Sequence, residues 1–219
     1  MRKKSVLLGL TALIVVAAMA IGGTLAYFTH SDSAENTFTI GEVEIDLFEH
    51  NVSPVVGAFG MQTWALGTTE VEENTYSGIY PGAELPKDPA IKNIGTSAAY
   101  VQMKLTISNA SAWIASIPSG TDLGAYVTGF DPLKWRRSAI IPDTVNNTLT
   151  YVYEYRSILA VGSSTGPIFT LITIPSDFDN VDMLAVVGDE HEFTLDITAE
   201  AIQAEGFANA AAAFAELNA

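Results

Sequence analysis

Cysteine is absent from this chain of 219 residues, histidine occurs three times, and ten basic residues stand against 25 acidic ones. Without cysteine there is no disulfide, no thiol nucleophile and no thiolate metal ligand, so the core or assembly with other chains must hold the fold. The formal net charge of −15 disfavours nucleic acid and anionic surfaces, because like charges repel. Beyond the N-terminal region, no apolar run reaches the ~20 residues that span a bilayer as a helix.

The N-terminal region has the three parts of an export signal. Basic residues at positions 2–4 precede an apolar run of 16 residues, 6–21, and a small-residue exit that ends at Ala26. This pattern predicts a signal peptide over residues 1–26, cleaved between Ala26 and Tyr27. The alternative is an uncleaved N-terminal anchor. With cleavage we expect a secreted protein of the extracellular matrix or cell surface, without membrane contact after processing.

Alternation of apolar and polar residues predicts the strands. The clearest case is Ala99 to Ile107, where the two kinds of residue alternate over nine positions. The segment from Ala90 precedes it through Gly95-Thr96-Ser97, which predicts two antiparallel strands joined by that turn. Residues 36–47 alternate as well, with a slip of phase at Gly41 that indicates a bulge or bend.

Three acidic residues share the polar side of that first strand, namely Glu42, Glu44 and Asp46. Paired carboxylates on one face are one arrangement used for acid–base catalysis. Nothing in the surrounding sequence indicates a cleft, however. We therefore interpret these residues as a solvated strand face.

The rest of the chain is divided by turn residues. Residues 51–77 have no clear period, which indicates a long loop containing at most a short hairpin. Further strands are predicted at 135–141, 149–159, 167–174 and 192–204, and an alanine-rich short helix at 208–217. Many short strands without a βαβ rhythm predict an all-β fold, an antiparallel jelly-roll-like β-sandwich over residues 42–219 with a short C-terminal helix.

Metal and catalytic motifs are sparse. The histidines are His30, His50 and His191, and no H-E-x-x-H zinc motif includes them, since the position four after His191 is leucine. Asp177, Asp179 and Asp182 resemble part of a calcium loop, but the downstream glutamate and the loop glycine of an EF-hand are missing. The sequence therefore predicts no catalytic residue and no cofactor, with the three aspartates as weak calcium candidates.

Two surface-type patterns remain open between alternatives. Tyr151, Tyr153 and Tyr155 form a stripe along one strand, which suits either a carbohydrate or protein contact surface or the packing of a sheet face. Trp135-Arg136-Arg137 is the one basic spot in an acidic chain. It suits either pairing with an acidic surface of a neighbouring subunit or a strand edge guarded by charge.

Several stretches at both ends and in the middle of the chain resemble one known family. They are residues 23–29, 31–33, 36–41, 80–82, 91–101 and 197–207. In these stretches the sequence is similar to the TasA/camelysin family, and the N-terminal stretches and residues 93–101 carry the most specific part of the match. Residues 51–77 and most of 108–166 lie outside the resemblance.

The resemblance implies a secreted jelly-roll protein of Gram-positive bacteria, processed by a signal peptidase of the SipW type and assembled into fibres of the biofilm matrix. It implies that an N-terminal arm, residues 27–41, inserts as a strand into the next subunit. Tyr27, Phe28, Phe38 and Ile40 are the arm residues we assign to this contact. The partners implied are further copies of the chain and a related matrix protein.

Three functional hypotheses follow. The favoured one is a structural, non-enzymatic matrix subunit that assembles head-to-tail by strand exchange, since a free strand-forming arm and an open sheet edge suffice for it. The alternative is a camelysin-like secreted metalloendopeptidase, because some members of the family are described in that way. A third hypothesis is a monomeric adhesin or an accessory cap on a fibre made by another protein.

Overall fold

The fold is known from a computed structural model, which describes residues 42–187 and 194–217. The described residues belong to one compact unit. The predicted cleavage site at Ala26 and Tyr27 and the arm residues Phe28, Phe38 and Ile40 lie outside the described residues, as do His30 and His191. The predictions that concern them remain predictions.

Short strands and short helices follow one another along the described part of the chain. The strands are β1 (Ile45–Val56), β2 (Gln62–Val71), β3 (Glu84–Pro86), β4 (Ala90–Asn93), β5 (Ala99–Ile107), β6 (Val127–Thr128), β7 (Trp135–Asp143), β8 (Thr148–Tyr155), β9 (Leu171–Thr173) and β10 (Leu195–Gln203). The α-helices are α1 (Ala110–Ser116), α2 (Asn180–Val187) and α3 (Ala210–Leu217), and 3-10 turns occupy Ala58–Gly60 and Leu123–Tyr126.

The strands form three sheets, with the orders β2-β1-β4, β10-β5-β8-β7 and β3-β9-β6, and all of the pairings are antiparallel. The prediction of a mostly β, antiparallel protein with a short C-terminal helix is therefore confirmed. Pro86 ends the edge strand β3, a position where a missing backbone donor costs no ladder bond.

The four-stranded sheet follows the alternation of its sequence. β5 is central, and its residues Val101, Met103 and Leu105 are almost completely buried. β10 pairs with β5 without interruption from Leu195 to Gln203. Its alternate apolar residues pack against the same core, as the sequence predicted for that face.

The tyrosine stripe of β8 belongs to the core. Tyr151 and Tyr153 are only 1% and 7% exposed, and Tyr155 is partly buried beside Trp135. Phe130 covers Tyr153 at 5.1 Å between ring centroids. The packing interpretation is therefore correct, and the alternative of a contact surface is wrong for Tyr151 and Tyr153.

The predicted pairing of β4 with β5 is wrong, although both strands exist. β4 pairs with β1, whereas β5 lies between β10 and β8 in another sheet. The cause is Asn93, which is fully buried and donates from its amide to the carbonyls of Ser97 and Leu159, at 2.9 and 3.0 Å. Its Oδ1 also accepts from the Gly95 N–H. These bonds shape a turn that carries the chain from one sheet to the other.

The region predicted as a long loop contains most of a hairpin instead. β1 and β2 pair from Glu49 opposite Val71 to Val56 opposite Gln62, with a bulge between His50 and Val52. At the far end of the hairpin both faces are exposed and apolar, so no period of two is visible there. That is why the sequence pattern did not reveal these strands.

Candidate assembly groove

A groove of about 340 Å³ lies between the first half of β1 and the start of β10. Leu47, Phe48 and Glu49 line one side, and Thr194 to Ile197 line the other. Alternate residues of a strand point to opposite faces, so a groove lined by consecutive residues must run along the strand edges. We call this feature the β1–β10 groove.

Both strand edges at this groove lack a strand partner within residues 42–187 and 194–217. Residues 45–48 of β1 pair with β4 on one side only, because β2 begins its pairing at Glu49. β10 pairs with β5 on one side and with no other described strand. Unpaired N–H and C=O groups along such edges are able to accept a further strand.

The groove has an apolar floor and an acidic rim. Leu85, Pro89 and Ile172 lie at its base, and the base adjoins the main core. Glu72, Glu73 and Asp196 are exposed at its margin. Apolar side chains that enter this groove would therefore leave water, while polar ones would remain at the rim.

A buried ion pair closes one wall of the β1–β10 groove. Lys87 donates from Nζ to the two carboxylate oxygens of Glu49, at 2.7 and 2.5 Å. The two residues are only 8% and 3% exposed. Since an isolated buried charge is strongly unfavourable, each holds the other in place. The pair ties β1 to the connection between β3 and β4.

A second pair lies beside the first, one residue further along both segments. The backbone N–H of His50 donates to Asp88 Oδ1 at 2.9 Å, and His50 Nδ1 lies 2.6 Å from Asp88 Oδ2. The ring of His50 also meets Phe48 edge to face. The contact with Asp88 fixes the orientation of the His50 ring against β1.

Asn74 attaches the segment after β2 to the bulge in β1. Its Oδ1 accepts from the Val52 N–H at 2.7 Å, and its Nδ2 donates to the His50 carbonyl at 2.9 Å. The side-chain amide therefore satisfies one backbone donor and one backbone acceptor of β1, one on each side of the bulge. This contact holds residues 72–76 against the groove.

Tyr76 completes the wall of the groove. Its hydroxyl donates to the Pro86 carbonyl, and its ring packs edge to face on Trp64. Burial raises the pKa of the Tyr76 hydroxyl, and the negative charges of Glu49 and Asp88 raise it further. The phenol therefore stays protonated and serves as a hydrogen-bond donor rather than as an acid.

The beginning of the described chain is fixed near the turn that follows β4. The carbonyl of Glu44 accepts from the N–H groups of Ile94 and Gly95, both at 3.0 Å. The carbonyl of Glu42 accepts from Thr96 and Ser97. Residues 42–44 are thus a fixed root for the residues that precede them in the chain.

The acidic residues of this segment do not form a catalytic pair. Glu42 and Glu44 precede β1 and are exposed, and Asp46 lies within β1 and is partly exposed. The prediction that all three share one strand face is therefore wrong for Glu42 and Glu44, because the strand begins only at Ile45, while their exposure agrees with a solvated position.

The two arginines of the basic spot pair within the chain. Arg137 Nη1 donates to Asp122 at 2.5 Å, and Arg136 pairs with Glu154. They lie on β7, an edge strand of its sheet among the described residues. Of the two alternatives, the strand edge guarded by charge is therefore the one found here. The acidic partners of both arginines lie in the same chain.

The calcium candidates surround the start of α2. Asp179 accepts from the N–H groups of Val181 and Asp182, at 2.7 and 3.0 Å, and its own N–H donates to Asp182. This is a reciprocal cap of the helix N-terminus. Asp177 is exposed nearby. Among the described residues, no three histidine or acidic side chains come together as a metal ion would require.

Sequence reasoning missed the ion-paired residues in the wall of the groove, namely Glu49, Lys87 and Asp88. It also missed Tyr76 beside them. One signal was available: Lys87-Asp88 is a charged pair enclosed between Pro86 and Pro89. Charged residues in such a short connector need partners when the connector is buried. Nothing in the sequence, however, indicated that Glu49 would be the partner.

No protein-family model matches this chain, and no curated protein matches it significantly. In the part of the chain that the structure describes, no helix is both long enough and apolar enough to cross a membrane.

Proposed function

We propose that this chain is an exported structural subunit of extracellular biofilm matrix fibres, which assembles head-to-tail by strand exchange. The arm of one subunit, residues 27–41, occupies the β1–β10 groove of the next. The observation that carries the proposal is a groove with an apolar floor and an unpartnered strand edge on each side. The contact joins different surfaces of two copies, so it propagates into a filament.

The arm has the features that such a groove requires. Phe38 and Ile40 are two residues apart, so in an extended strand they point to the same face and reach the apolar floor together. The backbone of the arm supplies the donors and acceptors that the edges of β1 and β10 lack. Main-chain bonds then give affinity, and the side-chain positions fix the register.

A comparison with β7 favours β10 as the receiving edge. β7 carries Pro142, a bulge between Arg137 and Ala139, and two paired arginines, all of which oppose addition of a strand. β10 has neither proline nor bulge between Leu195 and Gln203. The edge that borders the groove is thus the less protected of the two.

The same contact would complete the fold. A strand added along the free edge of β10 at the groove would extend the four-stranded sheet toward the sheet of β1. The result would be the jelly-roll-like sandwich that the sequence predicts. In this proposal a subunit is completed by its neighbour, as expected of a domain without disulfides whose edges are unpaired.

Export and processing supply the trigger. A signal peptidase of the SipW type would cleave between Ala26 and Tyr27 and release an arm that the membrane-bound leader restrains. The partner is a further copy of the chain or a related matrix protein, and the product remains in the extracellular matrix or at the cell surface.

Arm removal and arm return test the proposal together. Protein that starts at Tyr27 is expected to form filaments in negative-stain micrographs, whereas protein that starts at Glu42 is expected to stay monomeric. A synthetic peptide of residues 27–41 should bind the shortened protein with saturable affinity. The same peptide with Phe38→Asp and Ile40→Asp is the matched control and should not bind. Filaments of normal length from the shortened protein would refute the proposal.

A further inference from the structure

The tip of the β1–β2 hairpin presents apolar side chains on both of its faces. Val55 and Val56 are neighbours in β1 and so point to opposite faces, yet they are 42% and 84% exposed. Met61, on the returning side, is 50% exposed. A group of exposed apolar side chains of this kind marks a site of interaction.

The tip is also free of charge. No charged residue occurs between His50 and Glu70, although the chain contains 35 acidic and basic residues. Each charged side chain would oppose transfer into an apolar medium, and here none has to be transferred. A protein partner with an ordinary polar rim would find no charged group to pair with on this tip.

The backbone of the tip satisfies most of its own hydrogen bonds. The Gly57 N–H donates to the Met61 carbonyl at 2.7 Å, and the Met61 N–H donates to the Ala58 carbonyl at 3.3 Å. The Gly60 N–H donates back to the Gly57 carbonyl. Unsatisfied peptide groups are what most oppose entry of a loop into lipid, and these internal bonds reduce that cost.

Contacts at the base of the tip attach the hairpin to the segment that follows β2. Trp64 is buried at the base of the tip and stacks on Tyr80 with 6.3 Å between ring centroids. The Tyr80 hydroxyl donates to the Gln62 carbonyl at 2.8 Å, and the Gln62 side chain donates to the Ser77 carbonyl at 2.5 Å. The orientation of the hairpin is therefore fixed before any partner arrives.

We propose that the tip of the β1–β2 hairpin, residues 55–61, inserts into the interface of a lipid bilayer. Trp64 pairs with Pro54, and two further residue pairs separate that pair from the turn. They correspond to about 7 Å of strand. This matches the depth of about 5–10 Å at which interfacial apolar segments rest. Because the whole chain has a net charge of −15, the surface it suits is zwitterionic rather than anionic.

This inference stands apart from the strand-exchange proposal. It uses the opposite end of β1 from residues 45–48 and does not depend on whether the arm enters the β1–β10 groove. It replaces the expectation that the processed chain has no membrane contact. A filament subunit with such a tip would be able to rest on a lipid surface.

The absence of cysteine makes a direct test simple. Val56→Cys, labelled with a nitroxide, places a single probe at the tip, and Val145→Cys does the same at the β7–β8 turn, where Val145 is 91% exposed. The full chain is mixed with phosphatidylcholine vesicles, and oxygen and a water-soluble nickel complex compete to relax the probe. We expect the tip probe to be relaxed mainly by oxygen and the Val145 probe mainly by the nickel complex. This difference should hold even where the N-terminal segment contributes to vesicle binding.

A second pair of variants measures the energetics. In this pair the probe is placed at Met61→Cys. Val56→Glu should make the vesicle-bound probe more accessible to the nickel complex and reduce tip insertion about tenfold. Val145→Glu should leave insertion unchanged. A tip probe that stays open to nickel on vesicle-bound protein would overturn the proposal. So would a tip probe that becomes shielded without lipid as the protein concentration rises, since this would show contact between two copies.

Discussion

Lys87 Nζ bonds both carboxylate oxygens of Glu49, and the two side chains are almost completely removed from water. The pair joins the middle of β1 to the connector before β4, and it forms part of the wall of the β1–β10 groove. The next residue of each segment repeats the contact, as His50 meets Asp88. Together these bonds fix one side of the groove in the isolated subunit.

Removal of one partner should therefore be costly. We expect Lys87→Met to lower the free energy of unfolding by about 3 kcal/mol, because it leaves the Glu49 carboxylate buried without a counter-charge. Equilibrium unfolding in guanidinium chloride measures the change. The double variant Glu49→Gln with Lys87→Met removes both charges and should recover a large part of the loss. Equal stability of the single variant and the parent would contradict the role assigned to this pair.

A second network predicts a pH effect. The Tyr151 hydroxyl and the Gly124 N–H both donate to Asp122 Oδ1, and Arg137 donates to Oδ2. Burial acts to raise the pKa of the Asp122 carboxyl, but the hydrogen bonds from Tyr151, Gly124 and Arg137 outweigh it, so the pKa lies below its ordinary value of 3.8. Folding therefore favours the ionised carboxylate.

The sign of the pH effect follows from that direction. The contribution of Asp122 to stability is fully present above pH 3.8, and it is lost as the pH falls from there through the lower pKa of the folded state. We expect Asp122→Asn to have a melting temperature that declines less steeply on acidification. Asp177→Asn, at an exposed aspartate with no hydrogen bond to another described residue, should retain the parent profile. Parallel acid profiles for all three proteins would rule out this assignment.

Gly95 permits the close approach of the root of the arm. A Cβ at this position would lie 2.5 Å from the Glu42 carbonyl oxygen and 2.6 Å from the Glu44 nitrogen. Backbone atoms have to move to make room, so Gly95→Ala should cost about 1–3 kcal/mol of stability. It should also loosen residues 42–44. Hydrogen exchange at Ile94 and Gly95, whose N–H groups bond Glu44, reports that loosening.

The matched control for that change is Ser97→Ala in the same turn, since it leaves the backbone bond from Ser97 to Glu42 in place. Its exchange rates at Ile94 and Gly95 should remain those of the parent. If Gly95→Ala exchanged at the parent rate as well, residues 42–44 would not be held in the way described.

Strands with one buried face were predictable from the sequence. β5, β8 and β10 alternate strongly because one face of each meets the core, and the C-terminal helix follows from its run of alanines. Which strands would pair was less predictable. The separation of β4 from β5 depends on the Asn93 side chain bonding a carbonyl 66 residues away, at Leu159, and no local pattern records such a contact.

Some residue patterns fit two different structures, and the sequence alone did not distinguish them. Asp179 and Asp182 look like ligands but cap α2, since the same short carboxylates that bind calcium also accept from helix N–H groups. The sequence predicted an open sheet edge but not the groove. Its position depends on β1 and β10, which are distant in the chain, both lining one groove.

The most direct measurement is a disulfide trap between two different chains, one with Phe38→Cys in the arm and one with Ile197→Cys in the groove. The parent has no cysteine, so each variant has a single thiol, and with a size tag on one variant the heterodimer on a non-reducing gel reports an arm of one chain beside the groove of another. Leu133→Cys, at a site 86% exposed away from the groove, replaces Ile197→Cys in the control mixture. The account predicts rapid cross-linking in the first mixture and little in the control. Equal cross-linking in both, or none in the first while filaments still form, would contradict it.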